Sequence, residues 1–140
     1  MTCWLVNSNS NSKNNNPNGY KYMLRQNMVA AYYGVNCSVD KIKKGDIVLL
    51  YHNENRIIAV GCVVHEFERH DYEEISDVEH RVDLNWIWKA KFNDKSEPID
   101  FINRYDLGIT MVNGTVINVS SQVDYKKLLE KIAEKQSFDL

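Results

Sequence analysis

Two tryptophans, Trp86 and Trp88, stand two residues apart in a run of alternating apolar and polar residues. Side chains at i and i+2 of a strand point to the same face of a sheet, so this pair could form one wall of an aromatic cage. Such a wall suits a nucleic-acid base that is single-stranded or flipped from its stack, because stacking stabilises a base by about 1–3 kcal/mol. The alternative for this pair is packing in the core.

Four further candidates fall where predicted strands end. Asn7 and Ser8 follow a short apolar run, and their amide and hydroxyl groups could read the edge of a base. Tyr51 and His52 end a second apolar run, where side chains commonly line the rim of a pocket. The alternatives are turn formation for the first pair and a structural role for the second.

Two other residues could take part in such a ligand pocket. Tyr20 adjoins a polar stretch of the chain, which favours exposure of its ring to a ligand. Asp83 alternates to the face opposite the tryptophans, and it could accept a hydrogen bond from an exocyclic amine if that face lines the pocket.

Basic residues are concentrated in the first part of the chain. Residues 1–60 contain seven Lys and Arg against three acidic residues, whereas residues 61–140 contain ten against sixteen. A cationic face attracts phosphates, although the two parts of a sequence need not form separate faces. The candidates for phosphate binding are Arg25, Lys41, Lys43 and Lys44, and the alternative for them is an ordinary solvated surface.

Motifs of catalysis are missing from the sequence. It has no glycine-rich phosphate loop, no GxSxG elbow and no HExxH helix, and its four histidines lack the spacing of metal ligands. The three cysteines include no CxxC pair and are predicted to be reduced thiols. We therefore predict that the chain is not an enzyme and uses no cofactor and no metal.

The composition predicts a single cytoplasmic domain over residues 1–140. Hydrophobic residues make up 44% of the chain and charged residues 26%, as in globular proteins, and no apolar run is long enough to span a membrane. Residues 8–19 are rich in Asn and Ser and are predicted to form a flexible loop.

Hydrophobic periodicity predicts helices on either side of about five or six strands. Strands are expected at 3–6, 46–52, 56–66 and 80–92, and a hairpin at 108–119. Helices are expected at 20–33 and 121–135, and an acidic loop at 68–79. Gly61 is expected to mark a bulge or close packing. This mixture favours an α+β domain with a curved mixed sheet or partly closed barrel.

One part of this pattern resembles a known family. The sequence Lys44-Gly45-Asp46, an apolar strand, Tyr51-His52 and a returning strand that contains Gly61 resemble the EVE domain of the PUA-like superfamily. The opening residues, Trp4 to Ser8, resemble the first strand of that domain and of its relative, the YTH domain. The resemblance implies a PUA-like pseudo-barrel whose mouth accepts a flipped or single-stranded modified base.

Together these features predict a non-catalytic nucleic-acid-binding module that recognises a modified base, such as a methylated one, in DNA or RNA. It could act through a protein partner, and no membrane association is expected. Two alternatives remain open at this point. One is a regulatory protein or enzyme on the same scaffold that binds a small molecule or nucleotide, and the other is a protein-interaction domain that uses the acidic stretch 66–79.

Overall fold

The structure is a computed structural model that describes residues 1–8, 19–72 and 74–136. These residues form eight strands and two α-helices, together with 3-10 helices at Tyr33–Lys41 and Arg104–Leu107. The elements are β1 (Cys3–Asn7), α1 (Gly19–Gln26), β2 (Met28–Tyr32), β3 (Ile47–Tyr51), β4 (Arg56–Val63), β5 (Glu68–Tyr72), β6 (Ile75–Lys89), β7 (Ile102–Asn103), β8 (Val116–Asn118) and α2 (Tyr125–Lys135). Most of the predicted flexible loop, residues 9–18, lies outside the described residues.

One curled mixed sheet contains all eight strands. Six of them form a continuous path in the order β2-β6-β4-β3-β1-β8, while β5 pairs with β6 and β7 pairs with β4. The pair β1/β3 is parallel, and the other pairs are antiparallel. The predicted α+β fold with about five or six sheet strands and flanking helices is therefore confirmed.

The centre of the sheet is β3 and β4, as the sequence predicted. Both strands are runs of β-branched and other apolar residues, which favour an extended backbone when they are packed on both sides. Val48, Leu49 and Leu50 are fully buried in β3, and Ile57 and Ile58 are fully buried in β4. This apolar centre fixes where the ends of β3, and the residues that follow it, lie.

The predicted helix at 20–33 is wrong in its second half. Helix α1 ends at Gln26, Asn27 adopts a left-handed backbone with φ of 54°, and Met28–Tyr32 is a strand. All five residues of that strand are buried, and they pair with β6. Helical spacing was misleading because pairing with a distant strand outweighs local propensity, and Asn tolerates the left-handed conformation that ends the helix.

The predicted acidic loop at 68–79 is also wrong, since β5 and the first part of β6 form a hairpin there. Glu68 lies opposite Arg81, and the Arg81 guanidinium is 3.6 Å from the Glu79 carboxylate. Opposite charges on neighbouring strands stabilise a sheet and offset the low strand propensity of the acidic residues.

The predicted hairpin at 108–119 has a single strand, β8, which pairs with β1 at the edge of the sheet. Gly114, before this strand, has a φ of 110°, a backbone conformation that favours glycine. Helix α2 begins at Tyr125, four residues later than predicted, and Asp124 caps it by accepting a hydrogen bond from the Lys127 amide at 3.0 Å. No helix among the described residues is long and apolar enough to cross a membrane.

Gly61 marks both a bulge and a close approach, as predicted. The register between β4 and β6 shifts at Val60 and Gly61. A Cβ atom at Gly61 would lie 2.8 Å from Cδ1 of Leu84 and 2.9 Å from Cε3 of Trp86. Only glycine lets these two side chains pack directly on the backbone of β4.

Candidate functional site

The parallel pair β1/β3 brings two of the predicted groups together at one edge of the sheet. Both strands end at this edge, and Asn7 lies opposite Tyr51. The backbone amide and the hydroxyl of Ser8 both donate to the Tyr51 carbonyl, at 2.8 and 2.9 Å. His52 follows directly, so Asn7, Ser8, Tyr51 and His52 converge although more than forty residues separate the pairs. We call this end of the sheet the carboxyl edge.

Helix α1 adds Tyr20 to the carboxyl edge. The predicted exposure of its ring is wrong, since Tyr20 is buried with 6% exposure. The ring of Tyr20 lies 4.2 Å from the ring of His52 and 5.7 Å from that of Phe92, measured between ring centroids. Its hydroxyl lies 3.4 Å from the Ser96 carbonyl. Tyr20, His52 and Phe92 therefore form a continuous row of rings, which we call the aromatic cluster.

His52 is a buried polar group with unused bonding capacity. Its side-chain Nε2 lies 3.2 Å from the Asn53 amide nitrogen, which donates, so the neutral ring carries its hydrogen on Nδ1. That Nδ1 is buried and has no hydrogen-bonding partner among the described residues. Burial lowers the pKa of His52, the Ser8 backbone opposes this shift, and the charge of Arg56 adds to it. Burial therefore favours the neutral form of the ring, and the Ser8 backbone is the polar group that opposes this.

Tyr51 has a structural part in the site. Its hydroxyl accepts a hydrogen bond from the Asn55 amide at 2.8 Å, which holds the turn between β3 and β4. Asn53, Glu54 and Asn55 all have positive φ in that turn. The Asn55 side chain accepts a further bond from Nε of the buried Arg104 at 2.9 Å. These bonds fix the position from which the His52 ring projects.

A pocket of about 370 Å³ adjoins the aromatic cluster. Tyr20 and Phe92 form part of its wall, and Arg25 is the predicted phosphate residue that reaches it. Its described lining consists of Tyr20, Lys21, Leu24, Arg25, Lys89, Ala90, Phe92 and Ser96. The three basic residues in this lining make it a suitable place for an anionic ligand.

The sequence predicted two of the eight described lining residues, Tyr20 and Arg25, and missed six, among them Lys21, Lys89 and Phe92. Lys21 lies one helical turn before Arg25, and that i, i+4 spacing is a signal that could have found it. Lys89 and Phe92 lie at and just after the end of β6, where no local pattern marks them. Their role depends on where the long strand β6 ends relative to α1, which is a property of the folded chain.

The two tryptophans lie outside the lining of this pocket. Trp88 is buried with 6% exposure, while Trp86 is half-buried and packs against the core. The indole nitrogen of Trp86 donates to the Met23 carbonyl at 3.3 Å. Asp83 pairs with Met28 of β2 and also lies outside the pocket lining. The core alternative fits the positions of the tryptophans.

The lysines Lys41, Lys43 and Lys44 precede β3 and lie at the opposite, amino end of that strand. A five-residue strand is about 16 Å long, so the structure does not bring these lysines to the pocket. Nζ of Lys41 lies 5.4 Å from the centroid of the Trp4 ring. The predicted phosphate residues therefore divide into two groups, with Arg25 alone at the carboxyl edge.

Asp46 holds together the residues at the amino end of β3, which we call the amino edge. It accepts hydrogen bonds from the Trp4 indole at 2.8 Å and from the backbone amides of Thr2 and Lys43, each at 2.9 Å. Burial acts to raise the pKa of Asp46, but these hydrogen bonds hold it below its usual value. Trp4 and Asp46 form a saturated structural group.

Comparison with solved structures supports this architecture. The YTH domain of the Zygosaccharomyces rouxii MRB1 protein, solved in complex with N6-methyladenosine RNA, aligns with a TM-score of 0.57 at 13% identity, covering 99% of this chain and 90% of that one. A Rhodopseudomonas palustris protein solved by NMR aligns with a TM-score of 0.50 at 14% identity, covering 99% and 97%. The fold is therefore the α+β PUA-like fold that YTH domains share.

Sequence comparison is less informative about activity. No protein with curated annotation matches the chain in sequence. The comparisons support the PUA-like fold at the level of YTH domains, and the narrower likeness to EVE domains stays a prediction. A family model described as a domain of unknown function, DUF8426, matches residues 4–120. The chain belongs to that family.

Proposed function

We propose that this chain is a non-catalytic nucleic-acid-binding domain that holds one modified base, such as a methylated one, at the carboxyl edge of its sheet. The observation that carries this proposal is the aromatic cluster beside a pocket of about 370 Å³ that also contains three basic residues. Stacked rings offer a face to a base, and the neighbouring cations offer contacts to its phosphates.

The size of the pocket favours a single base or nucleoside. Ligand pockets usually span roughly 300–1,000 Å³, and this one lies near the lower limit. Nδ1 of His52, which has no partner among the described residues, lies at the same edge, and a base presents ring nitrogen and carbonyl acceptors. A base that accepts from Nδ1 would satisfy a buried group that the described residues leave without a partner.

Charge favours a ligand with a phosphate backbone. Lys21, Arg25 and Lys89 all line the pocket, whereas the chain as a whole carries a net charge of -2. A local positive surface on an acidic protein raises the concentration of anions where they are bound. A strand that passes over the rim can place its base inward while its phosphates contact these three residues.

RNA is the first polymer to test. The structurally similar YTH domain was solved with N6-methyladenosine RNA, and the resemblance of the first strand to EVE and YTH domains supports the same class of ligand. We therefore take N6-methyladenosine in single-stranded RNA as the leading ligand. Modified DNA is the nearest alternative, and a free nucleotide is the next.

The experiment is fluorescence anisotropy with short single-stranded RNA that contains one N6-methyladenosine or one adenosine at the same position. The proposal predicts tighter binding of the modified strand, and a fall in affinity with rising salt. Matched DNA strands with methylated bases and the free nucleoside test the alternatives. If no modified strand binds more tightly than its unmodified partner at low salt, the proposal is wrong.

Charge-removing variants test whether RNA binds at the pocket or is attracted by positive charge anywhere on the surface. Arg25→Gln and Lys21→Gln remove positive charge from the pocket, and Lys126→Gln removes the same charge from the exposed surface of α2. The first two are expected to weaken RNA binding, and the third to leave it close to wild type. Equal weakening by all three would mean that attraction is general and that the pocket is not the site.

A further inference from the structure

A second polar cluster lies outside the lining of the pocket and consists of Cys37, Asp40 and His80. Cys37 and Asp40 belong to the 3-10 helix Tyr33–Lys41, and His80 belongs to β6. Residues three apart in a 3-10 helix are eclipsed, because the helix has three residues per turn. The thiol and the carboxylate therefore share one face of this helix, which packs against the strand that carries His80.

The three side chains are close enough to share a ligand. The Sγ atom of Cys37, a carboxylate oxygen of Asp40 and a ring nitrogen of His80 all lie within 4.8 Å of one another. Nδ1 of His80 lies 2.7 Å from Oδ1 of Asp40. The three donors are brought together from positions up to forty-three residues apart, so the fold and not the local sequence makes the cluster.

The His80 ring is held in place. It is 4% exposed, and the Phe67 ring stacks on it with centroids 5.9 Å apart. Cys37, by contrast, is exposed and Asp40 is half-buried, so the cluster opens to solvent on one side. A fixed imidazole beneath an accessible thiol and carboxylate is a partly preorganised site that an ion can reach from water.

The donor set is that of a transition-metal site. Thiolate sulfur, imidazole nitrogen and carboxylate oxygen are the three groups that bind Zn²⁺, at about 2.0–2.3 Å from the metal. In a tetrahedral site, ligand atoms at those distances lie about 3.3–3.8 Å from one another, so small side-chain movements would close the cluster on an ion. Mg²⁺ and Ca²⁺ prefer oxygen ligands alone and fit the set poorly.

We propose that Cys37, Asp40 and His80 form a three-ligand site for a divalent transition-metal ion of the Zn²⁺ type, with water in the fourth position. This proposal departs from the expectation of no metal, which rested on sequence spacing alone. It is independent of the proposed nucleic-acid binding. When bound, the metal replaces the hydrogen bond between Asp40 and His80 and ties the 3-10 helix to β6.

The test uses Co²⁺ as a spectroscopic probe for the reduced, full-length protein. Bound cobalt with a thiolate ligand gives a sulfur-to-cobalt charge-transfer band in the near ultraviolet, and tetrahedral cobalt gives intense visible bands. The proposal predicts both signals at one equivalent of cobalt, their loss when Zn²⁺ is added, and a higher melting temperature with Zn²⁺. Absence of the charge-transfer band overturns the proposal.

Variants assign the signal to this cluster. Cys37→Ser changes an exposed residue and is expected to fold normally, abolish the charge-transfer band and weaken cobalt binding more than tenfold. Cys62→Ser, at the half-buried thiol of β4, is the matched control and is expected to leave the band unchanged. Asp40→Asn is expected to weaken binding while circular dichroism stays unchanged. A band that survives Cys37→Ser, or disappears with Cys62→Ser, contradicts the assignment.

Discussion

A buried ionisable side chain lies at each end of strand β3, Asp46 at the amino edge and His52 at the carboxyl edge. The two differ in how far the described residues satisfy their hydrogen bonds. At the amino edge, the carboxylate of Asp46 accepts hydrogen bonds from Trp4, Thr2 and Lys43. At the carboxyl edge, His52 is equally buried, yet its Nδ1 has no partner among the described residues. A saturated group stabilises the fold, whereas an unsaturated one beside a pocket costs stability and is suited to a ligand. We therefore interpret the amino edge as structural, and the proposed ligand site lies at the carboxyl edge.

The largest expected effect is the loss of folding stability when the hydrogen bonds of the amino edge are removed. Asp46→Ala removes the acceptor of three hydrogen bonds, one of them from the indole of Trp4, and is expected to lower the free energy of unfolding by about 3 kcal/mol. Urea denaturation followed by fluorescence measures the loss. Asp94→Ala, at an exposed position, is the control and should stay within about 0.5 kcal/mol of wild type. A small effect at Asp46 would contradict the structural reading of this edge.

His52→Phe tests the carboxyl edge, where we expect a small change in stability and a clear loss of RNA affinity. The aromatic contact with Tyr20 can remain and the unpartnered donor is removed, so the free energy of unfolding should change by less than about 1.5 kcal/mol. Affinity for the modified RNA should fall by about tenfold, the equivalent of one lost hydrogen bond. Urea denaturation and anisotropy measure the two quantities. Large destabilisation with unchanged affinity would reverse the assignment.

The two edges should lose stability in different ranges of pH. Because the folded pKa of His52 is lowered, the unfolded state binds a proton more readily, and stability falls as the pH drops below the usual histidine value of 6.5. The pKa of Asp46 is also lowered, so its contribution is present above 3.8 and is lost as the pH falls through its folded value. Unfolding measured across this range should show that His52→Phe removes the first decline and keeps the second.

The smallest expected effect concerns single lysines. For single strands, each phosphate contact contributes about 0.7 to the slope of log affinity against log salt concentration. Lys21→Gln should reduce that slope by about this amount, because Lys21 lines the pocket. Lys41→Gln should leave the slope unchanged, since Lys41 lies over Trp4 at the amino edge. Anisotropy at several salt concentrations distinguishes the two, and equal reductions would place RNA at both edges.

The parts of the fold that depend on local pattern could be predicted from the sequence. The apolar, β-branched runs of β3 and β4 predict buried strands, and a glycine within such a run predicts the bulge and close packing found at Gly61. Strand β2 could not be read in this way, because its residues have helical spacing and become a strand only by pairing with β6. The acidic hairpin is similar, since Glu68 belongs to a strand that forms by pairing with β6, where Arg81, thirteen positions away, lies opposite it.

The candidate site shows the same division. Tyr20 and His52 could be proposed because they flank recognisable elements, and the structure brings their rings together. Lys89 and Phe92 reach the same pocket because of where β6 ends, and no local sequence pattern marks that end. Trp86 and Trp88 illustrate the converse error, since simple alternation predicted one shared face, whereas the register shift pairs Trp88 with Val60 and Trp86 with Gly61. Trp88 belongs to the buried core, and Trp86 packs against it.

The most direct test of the account is to follow backbone and indole NMR signals while N6-methyladenosine is added, with adenosine as the control. The account predicts that N6-methyladenosine shifts the signals of Tyr20, His52 and Ser96 more than adenosine does, and that the Trp4 indole signal stays in place. Shifts centred on Trp4, Lys43 and Asp46, or no shift with either nucleoside, would contradict the claim that the carboxyl edge receives the base.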